Sequence, residues 1–163
     1  MADDDGHTIA ELVRELEEQE RRLVLPRFDD DDAWALGTLL VDLARSRGLS
    51  VTVDVRRGRQ QLFHAALPGT NADNDSWVER KSRTVQRFDA SSYLVGRRIA
   101  RSGVTPGADR GIDPALYSFH GGSFPVRVAG AGLVATLTVS GLSEAADHAL
   151  AVEAMTRHLA RTG

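Results

Sequence analysis

The segment His120-Gly121-Gly122-Ser123-Phe124-Pro125 decides the fold, because an irregular stretch of the chain becomes regular strand there. Residues 124–129 and 133–140 each predict a strand, and the Gly-Ala-Gly of residues 130–132 predicts the turn between them. Residues 103–119, just before this segment, show little periodicity and contain several glycines and prolines. A loop of that length within a compact domain is either functional or mobile.

A second hairpin and five helices complete the predicted elements. Residues 51–55 alternate between valine and a polar residue, Arg57-Gly58 predicts a tight turn, and residues 60–67 return as the partner strand. Apolar spacing and capping residues, among them Asp89 and Ser143, predict helices at 8–23, 31–47, 71–88, 90–101 and 143–159. This order lacks strand–helix–strand alternation. It predicts an α+β fold, with an antiparallel sheet built from two hairpins and flanked by helices.

The length of 163 residues is typical of one domain. Residues 1–27 are rich in charged side chains and predict an N-terminal helix or arm, and residues 28–163 predict the domain itself. A charged leading helix of this kind packs either on its own domain or on a neighbouring subunit.

The amino-acid composition excludes several classes of function. The chain has no cysteine, so disulfides, thiol catalysis and thiolate metal sites are excluded. The net charge of −3 gives no indication of a nucleic-acid partner. No apolar stretch reaches the roughly 20 residues that span a bilayer, and residues 1–5 are unlike a secretory signal. We therefore expect a cytoplasmic protein without a membrane partner.

The turn at residues 120–123 is the first candidate binding site. Gly121 and Gly122 would allow backbone N–H groups to approach a ligand closely and to form an anion-binding nest. His120 and Ser123 add an imidazole and a hydroxyl. The alternative is a structural turn in which a backbone carbonyl satisfies His120.

Ser140 and Gly141 form a second candidate, where the last strand meets the last helix. Backbone N–H groups at a helix start carry the positive end of the helix dipole and favour an anion, although capping by Ser143 would also explain this sequence. Lys81 lies on an apolar helical stripe, so it extends to water, pairs with a buried carboxylate or binds an anion. We hypothesise that Lys81, Ser140 and the glycine turn surround an anionic group such as a carboxylate.

His148 lies on the buried stripe of the last helix, which is typical of a core or subunit-contact histidine. It cannot pair with the adjacent Asp147, because neighbours on a helix point about 100° apart. The histidines show no HxH or HxxxH spacing, so no metal site is predicted. Either His120 or His148 could ligate haem iron. Serine-hydrolase and phosphate-loop motifs are absent.

Taken together, these residues resemble the haem-degrading-domain family, with its GlcG-like and HbpS-like members, and most of all its uncharacterised UPF branch. The resemblance covers residues 28–159 and rests on Asp73-Asn74, Trp77, Arg80-Lys81, Phe88, Ser91-Ser92, residues 120–125, Val139-Ser140-Gly141-Leu142 and Asp147-His148. It implies a profilin-like sheet, a haem-degrading-domain-like unit over residues 28–163 and assembly into homo-oligomers. It also implies haem as a possible cofactor.

The sequence thus predicts an oligomeric domain that binds a small ligand, either a porphyrin such as haem or a small anion. The predicted ligand-binding residues are Lys81, His120, Gly121, Gly122, Ser123, Ser140, Gly141 and His148. If the protein is an enzyme, acid–base or haem-degrading chemistry would use His120, the best catalytic candidate. The alternative is an interaction protein that acts through its oligomer surface without catalysis.

Overall fold

Five helices and five strands form an α+β fold in residues 7–162, the part of the chain that the computed structural model describes. The elements are α1 (Ile9–Arg22), β1 (Val24–Leu25), α2 (Asp30–Ser46), β2 (Thr52–Arg57), β3 (Gln60–Ala66), α3 (Ala72–Phe88), α4 (Ser92–Ser102), β4 (Ser123–Val128), β5 (Gly132–Ser140) and α5 (Glu144–Thr162). The long loop between α4 and β4 contains one 3-10 turn, Ala108–Arg110. None of the helices in the described region is long and apolar enough to cross a bilayer.

The sheet has the order β1-β4-β5-β2-β3. Both predicted hairpins are present and join through antiparallel pairing of β2 with β5, which places Thr52 opposite Ser140. The α+β class and its two hairpins are therefore confirmed. The sequence missed β1, which runs parallel to β4 and makes the sheet mixed rather than purely antiparallel. Two residues are too few to show the alternation that identifies a strand.

The predicted cap of α4 was wrong. Asp89 adopts a left-handed conformation with φ of 50° and ends α3, donating its N–H to the carbonyl of Val85. Aspartate is among the residues that tolerate this conformation. The hydroxyl of Ser91 instead accepts the N–H of Leu94 at 3.1 Å, so α4 begins after Ser91.

The two faces of the sheet differ in polarity. On one face α2 and α5 cover an apolar core that includes Val53, Phe124 and Leu137, all fully buried. On the other face α3 covers buried polar side chains, among them Asp54 and Thr138. Strands β2, β4 and β5 therefore alternate between apolar and polar side chains and are buried along most of their length, whereas the residues of β3 are exposed or half-buried.

The leading helix packs on its own chain. Leu12, Val13 and Leu16 of α1 form a second apolar cluster with Tyr93 and Leu94 of α4. An ion pair of 2.9 Å between Glu17 and Arg98 joins the same two helices. The predicted division of the chain at residue 27 stays a prediction, and residues 1–6 of the predicted arm lie outside the described region.

Gly37 in α2 generates the first prediction. A Cβ at this position would overlap the ring of Phe63 on β3. Gly37→Ala should therefore lower the free energy of unfolding by about 1–3 kcal/mol, the usual cost of overpacking. In a Phe63→Ala background the space is open, and the same change should stabilise the helix by up to about 1 kcal/mol. Urea denaturation of the four proteins measures both effects, and an equal cost in both backgrounds would contradict the packing argument.

Candidate functional site

A polar pocket of about 280 Å³ lies where α3, the end of β5 and the start of α5 meet. Four of the residues predicted from the sequence lie around it, namely Lys81, His120, Ser140 and Gly141. The other lining residues are Asp73, Asn74, Trp77, Leu142, Glu144 and Asp147. Segments that are far apart in the sequence thus share one concave space.

A buried ion pair forms the floor of this pocket. The Lys81 ammonium lies 3.0 Å from Oδ2 of Asp147 and donates a second hydrogen bond of 3.2 Å to the carbonyl of Val139. The side chains of Lys81 and Asp147 are only 4% and 2% exposed. Lys81 therefore pairs with a buried carboxylate, which is one of the three possibilities that the sequence left open.

Asp147 also occupies the backbone donors at the start of α5. Its carboxylate accepts the N–H of Gly141 at 3.3 Å and the N–H of Leu142 at 2.9 Å. These are the donors that the sequence analysis offered to a bound anion. In the structure the protein's own carboxylate takes that place.

Burial shifts the pKa values of both members of the pair toward their neutral forms. It raises the pKa of the Asp147 carboxyl, and this effect is opposed by the charge of Lys81 and by the backbone hydrogen bonds. It lowers the pKa of the Lys81 ammonium, which the charge of Asp147 opposes. Each group therefore depends on the other to stay charged inside the protein.

Gly121 and Gly122 are buried and pack beside the pocket rather than lining it. Gly122 has a φ of +138°, and a Cβ there would lie 2.8 Å from the Lys81 ammonium. A Cβ on Gly121 would overlap the backbone carbonyl of Glu144. The carbonyl of Gly122 accepts the N–H of Val139 at 2.9 Å. The glycines thus allow the 120–122 turn to approach α5 and Lys81 closely.

Ser123 and His148 lie away from the pocket. The Ser123 hydroxyl is 2.9 Å from that of Thr138, within the polar layer under α3. His148 is buried between α1, α4 and α5, and its Nε2 lies 2.8 Å from Oε1 of Gln19. Its Nδ1 has no hydrogen-bond partner among the described residues. Burial lowers the pKa of His148 to about 4, so its imidazole is neutral at pH 7.

Carboxylates outnumber cations around the polar pocket. Asp73, Glu144 and Asp147 line it together with Lys81 as the single lining cation among the described residues. Asp73 accepts the indole N–H of Trp77 at 3.2 Å. The lining side chains therefore carry more negative than positive charge, and Lys81 and Arg97 each already lie next to one of these carboxylates.

His120 lies at the rim, with its side chain 63% exposed. Its ring packs on the indole of Trp77, with centroids 5.1 Å apart and planes tilted by 37°. Nδ1 of His120 is 3.8 Å from the Glu144 carboxylate, which is too far for a hydrogen bond. The guanidinium of Arg80 lies 4.0 Å from the centroid of the Trp77 ring.

A second pocket, of about 480 Å³, adjoins the first at Trp77, His120 and Glu144. Its walls are largely apolar and come from α4 and the long loop, and include Ile99, Pro106, Ile112, Pro114, Tyr117 and Phe119. Arg80 and Arg97 also line it, and Arg97 lies 3.2 Å from the Glu144 carboxylate. No three His, Asp or Glu side chains converge to form a metal site within residues 7–162.

Sequence reasoning did not assign Trp77, Arg80, Arg97 or Glu144 to the site. One signal was present for Trp77, because it lies four residues before Lys81 and therefore on the same face of α3. Glu144 is the first residue of α5 and follows Ser140 and Gly141 closely. Arg97 comes from a separate helix, and nothing in its local sequence indicates which pocket it faces.

Fold and site together define an α+β domain in which a small polar pocket and a larger apolar pocket meet at one imidazole. A family model described as "Haem degrading protein HbpS-like" matches residues 28–156. The chain belongs to this HbpS-like family. A UPF0303 protein of Streptomyces coelicolor is 57% identical over 150 residues, which is 92% of this chain and 95% of that protein.

Two solved structures have the same fold. The crystal structure of the Ybr137w protein aligns with a TM-score of 0.82 and 30% identity, over 91% of this chain and 88% of that one. The crystal structure of a PduOC–haem complex aligns with a TM-score of 0.68 and 16% identity, over 79% of this chain and 93% of that one. The second likeness is one of fold alone.

The ion pair yields a prediction about stability. Lys81→Met leaves the Asp147 carboxylate buried without its counter-charge and should cost about 3–5 kcal/mol of unfolding free energy. Adding Asp147→Asn removes the stranded charge, and its amide oxygen can still accept a backbone N–H, so the double variant should recover much of that loss. Urea denaturation measures both variants. A double variant no more stable than Lys81→Met would contradict this account.

His148 yields a prediction about pH. Because its pKa falls to about 4 from an ordinary 6.5, the unfolded chain binds a proton between these values that the folded protein does not. Its contribution to stability is complete above pH 6.5 and is lost as the pH falls to 4, by up to about 3 kcal/mol.

In His148→Gln this part of the acid destabilisation should disappear. Urea denaturation of both proteins between pH 7 and pH 4.5 measures the difference. Asp147 and Glu20, whose raised pKa values favour folding at low pH, are common to both proteins and cancel. Parallel stability curves for the two proteins would refute the assignment to His148.

Proposed function

We propose that the protein binds a haem-class ligand, an iron porphyrin, in the apolar pocket next to His120. The observation that carries the proposal is the environment of the His120 imidazole. It is largely exposed, it is oriented by Trp77, and its side chain makes no hydrogen bond to any of the described residues. An imidazole held at the rim of an apolar pocket would be able to hold haem iron.

The residues around the apolar pocket fit the remaining parts of a porphyrin. Its walls offer aliphatic and aromatic surface to the macrocycle. Arg80 and Arg97 offer guanidinium groups to the two propionates, and the Nε of Arg97 has no hydrogen-bond acceptor within the described region. Charge-assisted hydrogen bonds between guanidinium and carboxylate groups are among the strongest that proteins make.

The comparisons support the same class of ligand. The matching family is described as haem-degrading, and the PduOC structure is a haem complex. Those properties belong to the proteins that bear the names. They support a porphyrin as the ligand of this chain. A separate argument against a small free anion is that the Asp147 carboxylate already accepts the backbone N–H groups at the start of α5.

A bound haem would supply iron redox chemistry, while this chain's own residues would hold it and limit access of water. His120 would contact the iron, Trp77 would fix the imidazole ring, and the two arginines would hold the propionates. The homo-oligomeric state and the cytoplasmic location predicted from the sequence are part of this proposal.

Spectroscopic titration with haem tests the role of His120. We expect a shifted Soret band in the wild-type protein, and binding weaker by about tenfold or more in His120→Ala, since about 1.4 kcal/mol of lost ligation corresponds to that factor. His7→Ala, a change of an exposed histidine that lines neither of the two pockets, is the matched control and should bind as the wild type does. Unchanged affinity and an unchanged Soret band in His120→Ala would overturn the assignment.

A second titration distinguishes the binding of the propionates by Arg97 from the ligation of the iron by His120. Arg97→Gln should weaken the binding of haem but leave the binding of haem dimethyl ester, which has no propionate charge, unchanged. An equal loss for both porphyrins would mean that the variant disturbs the pocket itself rather than an ionic contact.

A further inference from the structure

A third pocket, of about 490 Å³, lies between α3, α4 and the long loop. We call it the arginine pocket, and its volume is within the range of pockets that hold small organic ligands. It is lined by Arg87, Phe88, Val95, Arg98, Ile99, Ser102, Val104, Pro106, Arg110 and Ile112. Ile99, Pro106 and Ile112 also line the apolar pocket, so the two pockets share one wall.

The apolar part of the lining is accessible to a ligand. Phe88 and Val104 are 39% and 54% exposed, although both are large apolar side chains. Together with the shared wall they form a concave apolar surface rather than scattered single residues. Covering such a surface with an apolar ligand is favourable, because water is released from both.

The charged lining residues are all cations. Arg98 has a counter-charge, because it lies 2.9 Å from the Glu17 carboxylate. The guanidinium of Arg87 donates to the carbonyls of Gly111 and Arg110 at 2.8 and 3.1 Å, which hold it in place without neutralising its charge. Neither Arg87 nor Arg110 forms an ion pair within residues 7–162. The pocket thus offers two cations without a carboxylate partner.

Charge and apolar surface lie side by side in this pocket. The guanidinium carbon of Arg87 is 5.6 Å from the centroid of the Phe88 ring. A ligand that uses both features must carry an anionic group next to an apolar body. Haem is not that ligand, because the lining residues include no histidine, methionine, cysteine or tyrosine that could hold its iron.

We propose that the arginine pocket binds an amphipathic carboxylate, a small organic acid with an apolar body. Its carboxylate engages the guanidinium groups of Arg110 and Arg87, and its body covers Phe88 and Val104. Charge-assisted hydrogen bonds from a guanidinium that is already held in place give such a contact its strength. The site is additional to the proposed haem site, and its test is made on the protein without added haem.

Calorimetric titration with octanoate tests the role of Arg110. Its side chain makes no hydrogen bond or ion pair within the described region, so Arg110→Gln removes the charge without disturbing other contacts. We expect saturable binding to the wild-type protein and binding weaker by about tenfold or more in Arg110→Gln. Arg101→Gln removes an exposed arginine that lines none of the three pockets, and it should bind octanoate as the wild type does.

Two further probes separate the charge from the apolar body. Octanol has the same body without the charge, so it should bind more weakly than octanoate and with equal affinity to the wild type and Arg110→Gln. Acetate has the charge without the body and should show no binding at the same concentrations. Val104→Ser, which changes only the apolar lining of this pocket, should weaken the binding of octanoate and octanol alike.

His120→Ala distinguishes this site from the proposed haem site. It should bind octanoate with wild-type affinity, whereas Arg110→Gln should bind haem with wild-type affinity. The proposal is overturned if the wild type does not bind octanoate, if Arg110→Gln and Arg101→Gln bind it equally, or if His120→Ala loses it. The last result would place the acid in the apolar pocket instead. Failure of haem to bind would leave the octanoate results unaffected.

Discussion

The buried pair of Lys81 and Asp147 is the interaction on which the site depends. It ties α3 to the start of α5, and through the carbonyl of Val139 it also ties both helices to β5. Two charges withdrawn from water are stable only when each is well paired. The pair is satisfied by the backbone donors of Gly141 and Leu142 as well, so the geometry of the β5–α5 connection follows from it.

This constraint also determines what the polar pocket can hold. The usual anion-binding feature of a strand-to-helix connection is present, but Asp147 fills it from within the chain. The remaining lining is rich in carboxylates, and the cations Arg80 and Arg97 lie at the neighbouring apolar pocket. The two pockets therefore differ in the ligand chemistry they suit, and His120 stands at their junction.

Much of the fold could be predicted from the sequence, because alternation and helical spacing are local signals. They identified both hairpins and all five described helices. They failed where the information is not local. Two-residue β1 has no pattern of its own, and Asp89 and Ser91 both resemble helix caps, so only packing decides between them.

In the site, the stripe position of Lys81 indicated a buried carboxylate as one option, but its partner Asp147 lies 66 residues away. Nothing in the local sequence around Asp147 indicates that it pairs with Lys81.

The close approach of Gly122 to the Lys81 ammonium has a consequence for how this protein can vary. Any side chain at position 122 would displace the lysine head, and a displaced lysine would strand the carboxylate at position 147. Acceptable sequences at these three positions are therefore linked. A lineage can abandon the ion pair only by exchanging lysine and aspartate together, since either replacement alone buries an uncompensated charge. Position 122 stays glycine in either case, because a Cβ there would also overlap the carbonyl of Val139.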